Sequence, residues 1–201
     1  MSEYSQRLYR FVVWPARVVM AFSHPILRVH GRENLQEGPA VVCCNHTSLS
    51  DPVWVILGAR QKRVFRTMAK KELFAVPLLR RILPKLGVFP VDRDGSDVGA
   101  IKTALRALRE REKLLIFPEG TRVKRGQSAQ PHGGAAMLAV RTDSPLIPVY
   151  LTESKRFLRP LDLVFGAPYH PQIAGKKPTP EELQALTAEL MEKIRALGAN
   201  V

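Results

Sequence analysis

From residue 27 onward, short apolar and β-branched runs alternate with stretches of helical periodicity. That alternation restricts the chain to the α/β class: a mostly parallel central sheet flanked by helices. The runs that read as strands are Leu27–Val29, Ala40–Cys44, Val64–Ala69, Val88–Val91, Leu114–Phe117, Leu146–Leu151 and Leu161–Phe165. Several are unbroken apolar runs, as strands covered on both faces require. Between them, Val98, Ile101, Leu105 and Leu108 recur at three- and four-residue steps, opposite Lys102, Arg106, Arg109 and Glu110, which marks an amphipathic helix. Gly134–Val140 is a second helical stretch, small and apolar. Thr179, Pro180 and Glu182 then form a capping box before Leu183, Leu186, Leu190, Ile194 and Leu197, with Gly198 as the stop. At 201 residues, 45% apolar and 24% charged, the chain is one globular domain rather than a disordered segment.

No run of uncharged apolar residues reaches the 18 or so that a spanning helix needs. Phe11 to Phe22 comes nearest, but it is interrupted by Pro15 and Arg17. Tyr4, Tyr9, Phe11, Trp14 and Phe22 are interleaved with Arg7, Arg10 and Arg17, a composition that suits a helical segment lying in the headgroup plane. Residues 1–26 are therefore expected to be a membrane-facing segment preceding a single domain over 27–201. A net charge of +13 favours nucleic acid, an anionic membrane surface or phosphorylated substrates as partners. With 7% aromatic residues and no recognisable DNA- or RNA-binding motif, no nucleic acid is expected. Cys43 and Cys44 are neighbours in a strand and point to opposite faces, so they do not suit a disulfide, and a reducing, cytoplasmic setting fits. The five histidines, His24, His30, His46, His132 and His170, lack metal-ligand spacing, so no metal is expected.

Two loops carry the chemistry. Asn45-His46-Thr47-Ser48-Leu49-Ser50-Asp51-Pro52 follows the apolar strand Ala40–Cys44, and the ends of strands are where α/β sheets put their sites. Asp51 before Pro52 reads as a helix cap; alternatively, the loop can return its carboxylate to His46, where it accepts one ring N–H and leaves the other nitrogen as a base, although His-x4-Asp taken alone is a weak pattern. Phe117-Pro118-Glu119-Gly120-Thr121-Arg122 follows another apolar strand in a tight turn. There Arg122, Lys124 and Arg125 stand without intervening acids, a cluster suited to an anion such as phosphate. Gly87 to Arg93 ends a further strand with Asp92 and Arg93 side by side, which reads equally well as a surface ion pair. Ser144 to Tyr150 carries two prolines, which places it at a sheet edge or beside a cleft.

In order and spacing, Asn45 to Asp51, Gly87 to Arg93, Phe117 to Arg122 and Leu146 to Val149 together resemble the glycerophospholipid acyltransferase superfamily, most closely the 1-acyl-sn-glycerol-3-phosphate acyltransferases, over roughly residues 27–170. The resemblance implies His46 as catalytic base with Asp51 as its orienting partner. It implies that Glu119, Gly120, Thr121 and above all Arg122 bind the acceptor's phosphate, with Arg93 and Lys70 as further contacts. Acyl-CoA or acyl-carrier protein is the implied donor and a lysophospholipid the acceptor, 1-acyl-sn-glycerol 3-phosphate by default, with glycerol 3-phosphate and other lysolipids open. No cofactor is implied, and the expected location is the cytoplasmic face of the cell membrane, peripheral or monotopic. Two positions depart from the family pattern: Pro90 stands where an aromatic or aliphatic residue is common, and His132-Gly133-Gly134-Ala135 lacks the usual lysines before Gly-Ala. A covalent acyl-enzyme on Thr47, Ser48, Ser50 or a cysteine is the mechanistic rival, although no Gly-x-Ser-x-Gly elbow is present.

Overall fold

Seven strands form one sheet in the computed structural model, which describes residues 6–61, 64–92, 97–123, 129–175, 177–199 and 201. They are β1 (Leu27–His30), β2 (Ala40–Cys44), β3 (Arg66–Lys70), β4 (Val88–Val91), β5 (Lys113–Ile116), β6 (Leu146–Leu151) and β7 (Leu161–Phe165). Their order is β1-β7-β6-β2-β5-β3-β4, and every neighbouring pair is parallel except β6 with β7. The α/β class and the mostly parallel sheet are as expected. The largest boundary difference is at β3: Val64 and Phe65 are buried, but the ladder to β5 begins only at Arg66, because apolar burial does not require strand pairing.

Among the described residues, six helices accompany the sheet: α1 (Gln6–Ser23), α2 (Asp51–Ala59), α3 (Pro77–Ile82), α4 (Val98–Arg109), α5 (Gly134–Thr142) and α6 (Pro180–Gly198). The period of two in β2 divides the core. Val42 and Cys44 pack with Trp54, Val55 and Ala59 of α2, and Met20 of α1 closes on that cluster. Val41 and Cys43 point the other way, onto Ala104 and Leu108 of α4, Leu138 of α5, and Leu190 and Ile194 of α6. The segment containing α3 and two short 3-10 turns, Lys71–Ala75 and Pro84–Leu86, has no fully buried residue within those three elements. It therefore lacks the apolar period by which α4 and α6 are read.

Two prolines and a glycine are placed for reasons of packing. β6 is an interior strand, so of the two places Pro145 and Pro148 allow it is not the sheet edge, and its Tyr150 lines a cavity beside α6. The carbonyl of Pro148 accepts from Gly166 N at 2.8 Å on the β7 side, and a strand residue's N–H and C=O point the same way. Its missing N–H therefore falls where the β6–β7 ladder, ending at Val149 and Phe165, has already stopped. Pro90 lies in β4, the sheet's terminal strand, where a missing donor is tolerated. Gly198 does not stop α6 but is its last residue; an added Cβ would come within 2.5 Å of the Tyr150 ring, so the glycine serves close packing of α6 on β6. The α6 start is as read from sequence, with Thr179 and Glu182 bonded reciprocally.

α1 runs through Pro15 without a break and leaves Phe11, Trp14, Val19 and Phe22 exposed, Phe11 and Phe22 at 76% each. Among the described residues no helix is long and apolar enough to cross a membrane.

Candidate active site

β6, β2, β5 and β3 are adjacent and parallel, so their carboxyl ends open on one rim of the sheet. Each delivers part of the site. β2 leads into His46, β5 into Phe117 to Arg122, β3 ends at Lys70 and β6 leads to Lys155. Asn45 locks the rim: its Nδ2 donates to Leu151 O at 2.9 Å and its Oδ1 accepts from Leu151 N at 2.8 Å, continuing the β2–β6 ladder with a side chain.

His46 Nδ1 lies 2.9 Å from Asp51 Oδ2, and the same oxygen accepts the backbone N–H groups of Thr47 and Ser48 at 2.7 Å each. Asp51 is thus the first residue of α2, yet its carboxylate faces back into the loop rather than forward as a cap. Lys155 Nζ stands 2.9 Å from the other oxygen, Oδ1. Burial pushes the fully enclosed Asp51 carboxyl upward, but the bonds from His46, Lys155 and Ser48 and the charge of Lys155 outweigh it and hold the group below the ordinary carboxylate value. With Nδ1 engaged, Nε2 is the ring nitrogen left for chemistry.

The loop after β5 grips His46 by its backbone. Glu119 Oε2 accepts His46 N–H at 2.7 Å, Val123 N donates to His46 O at 2.8 Å, and the Phe117 ring stacks on the imidazole with centroids 4.2 Å apart. Burial pushes the Glu119 carboxyl upward, partly offset by the His46 amide and ring. Glu119 therefore holds His46 in place through that bond. Gly120 adopts φ +65°, and a Cβ there would lie 2.5 Å from the His132 ring. His132 is bonded to the turn by its backbone, N to Pro118 O at 2.8 Å.

Thr121 and Arg122 are exposed, and Arg122 lines an apolar groove of about 400 Å³ together with His46, Phe117 and Lys70. Its walls include Val12 and Val13 of α1 and Val53 and Ile56 of α2. Among the described residues Arg122 has no ion pair, whereas Lys70 is shared with Glu72 at 3.3 Å. A second apolar cavity, about 470 Å³, reaches Phe117 and Gly120 from the α4–α5 side. Arg93, Lys124 and Arg125 lie outside the described residues.

The candidates for a covalent intermediate are poorly placed. Cys43 and Cys44 are buried on opposite faces, and desolvation raises both thiols, suppressing the thiolate. Thr47 Oγ1 is held between Lys155 and Glu153 O, and the Ser48 and Ser50 hydroxyls bond each other at 3.0 Å. The sequence reading missed Lys155, a single lysine in a loop with no periodic or motif signal, and gave Asn45 and Phe117 no role.

A profile of the family described as Acyltransferase matches residues 26–152. The 1-acyl-sn-glycerol-3-phosphate acyltransferase of Bacillus subtilis is 29% identical over 196 residues, covering 94% of this chain and 96% of that protein. The enzyme of the same description from Pseudomonas aeruginosa is 26% identical over 210 residues, covering 98% and 79%. Among solved structures, the 1-acyl-sn-glycerophosphate acyltransferase of Thermotoga maritima superposes with a TM-score of 0.70 at 24% identity, over 95% of this chain and 81% of that one, a likeness of fold.

Proposed function

The chain belongs to the acyltransferase family, and from that premise we propose that it transfers a fatty acyl chain from an acyl thioester, acyl-CoA or acyl-carrier protein, to the free hydroxyl of 1-acyl-sn-glycerol 3-phosphate, giving phosphatidic acid. One observation carries the reading: His46, bonded through Nδ1 to a buried carboxylate, lines an apolar groove together with Arg122, which has no ion-pair partner among the described residues.

In the proposed mechanism, Nε2 of His46 takes the proton of the acceptor hydroxyl as its oxygen attacks the thioester carbonyl. The tetrahedral intermediate collapses with cleavage of the C–S bond, and the imidazolium returns the proton to the departing thiolate. Asp51 fixes the tautomer and stabilises the imidazolium without itself taking a proton. Arg122 binds the acceptor phosphate, with Lys70, Thr121 and Gly120 beside it and Arg93 as a further contact, so that binding energy remote from the reacting atoms orients the hydroxyl. Glu119 acts at one remove, by fixing the His46 backbone. The two apolar spaces that meet at Phe117 suit the two long acyl chains the reaction brings together.

The membrane role follows from α1. Its exposed Phe11, Trp14 and Phe22 and the cationic surface of the chain suit peripheral or monotopic attachment of residues 1–26 to an anionic bilayer at its cytoplasmic face, with residues 27–201 as the acyltransferase domain. α1 also forms one wall of the groove, so lipid chains would reach the site alongside it.

Thiol release from oleoyl-CoA by wild-type and His46→Ala protein, with and without 1-acyl-sn-glycerol 3-phosphate in mixed micelles, tests the reading. Acceptor-dependent release that the variant loses is the expected result. Release without acceptor would point to a thioesterase, and turnover retained by the variant would reject His46 as the base.

A further inference from the structure

Lys155 is a largely enclosed cation, its side chain 9% exposed, and it touches a carboxylate, Asp51, that is itself fully enclosed. Its ammonium donates to Thr47 Oγ1 at 2.8 Å and to Thr152 O at 2.9 Å, and forms an ion pair with Asp51 Oδ1 at 2.9 Å. The acceptors are themselves anchored. Thr47 Oγ1 donates to Glu153 O at 3.1 Å, and the Thr152 hydroxyl accepts Asp162 N at 2.8 Å. Enclosing a lysine costs free energy unless it is paired, so an ammonium ion-paired to Asp51 behind the site calls for an explanation. Holding the carboxylate still does not supply one, because Oδ2 already has three donors in His46, Thr47 and Ser48. What Lys155 adds is charge.

We infer that Lys155 is a positioning residue that completes a His46–Asp51–Lys155 array and sets the pH at which His46 is a free base. The inference rests on the reading of His46 as that base. With neutral imidazole, the carboxylate and ammonium cancel; protonating the ring leaves an uncompensated positive charge in a buried cluster. Lys155 thus opposes resting protonation of His46, and favours return of the proton once it has been taken from the acceptor. Without it, Asp51 alone faces the ring and stabilises imidazolium. Engaging Oδ1 also leaves Oδ2 as the only carboxylate oxygen available to the ring.

Other groups act on His46 as well. Glu119 and Glu153 approach from the loops after β5 and β6, and Cys44 from β2, its thiol held neutral. Across the groove stand Lys70 and its partner Glu72, Arg122, and Tyr9 of α1, whose hydroxyl burial pushes up to about 12. Of these, Cys44 also feels Lys155, which lowers its thiol, but that thiol stays neutral without the lysine because burial raises it; the wild-type, neutral and arginine variants share the other groups.

The test uses the full chain with ¹³C-labelled histidine, the His46 ring resonance being the one lost in His46→Ala. Its titration is followed in wild type, Lys155→Met, Lys155→Gln and Lys155→Arg, with near-UV circular dichroism confirming the fold of each. Both neutral variants should raise the His46 midpoint by about one pH unit, and the arginine variant, which keeps the cation, should hold it close to wild type. The acid limb of kcat/KM should move upward by the same amount, lowering turnover about tenfold below the limb and restoring it at alkaline pH. An unchanged His46 midpoint in either folded neutral variant, or an equal rise in the arginine variant, overturns the inference. The ring titration does not depend on catalysis, so failure of the base reading, seen as turnover by His46→Ala, remains a separate result.

Discussion

The backbone N–H of His46 donates to Glu119 Oε2 at 2.7 Å, joining two loops that lie 73 residues apart in the chain. Through that bond the Glu-Gly-Thr-Arg turn holds the histidine as well as framing the groove. Glu119→Ala leaves the His46 amide without its acceptor, which should cost about 1–3 kcal/mol of stability and lower kcat with little change in acceptor KM. Glu119→Gln keeps an acceptor and should retain most of both. Thermal unfolding with steady-state kinetics on the two variants checks this; a rise in acceptor KM as the main effect of either would instead make Glu119 a direct substrate contact.

Gly120 is constrained twice, by φ +65° and by the His132 ring 2.5 Å from where a Cβ would stand. Gly120→Ala should therefore destabilise by about 1–3 kcal/mol. Combining it with His132→Ala removes the collision and leaves the backbone cost, so the double variant should lose less than the sum of the two single losses. Strict additivity in a double-mutant cycle by chemical denaturation would show that the contact carries no energy.

Arg122 lines the groove without an ion-pair partner among the described residues. Arg122→Ala should raise the KM for the phosphate-bearing acceptor by about 10- to 100-fold, the worth of a charge-assisted bond, and leave the donor KM nearly unchanged. Arg122→Lys should recover only part of the loss, since one ammonium cannot reproduce a bidentate contact. Equal increases in both KM values would remove the assignment.

On α1, Phe11, Trp14 and Phe22 are 76%, 69% and 76% exposed, so their replacement by serine should change the thermal midpoint little. The same triple variant should lose most of its sedimentation with vesicles containing phosphatidylglycerol. Undiminished sedimentation would exclude this face as the membrane contact.

Local chemistry made much of this protein legible. The unbroken apolar runs of β2 and β5 announced buried strands, the loops beyond them read as site candidates, and a return of Asp51 to His46, five positions away, was within reach of the loop, with the family resemblance favouring it. The capping box of α6 was equally local. Asp51 was ambiguous in sequence because a cap and a histidine partner use the same carboxylate, and only the direction it faces separates them.

Sequence by itself determined which segments pair and coil, because apolar period and capping are properties of neighbouring residues. Tertiary structure decided the strand order that sets β5 beside β2 and places β6 within the sheet despite Pro148. From that order come the inward turn of Glu119 and the enclosure of Lys155 behind Asp51. Neither could be read from the chain, since a hydrogen bond across 73 positions and an ion pair across 104 depend on how whole strands pack, and local pattern does not encode that packing.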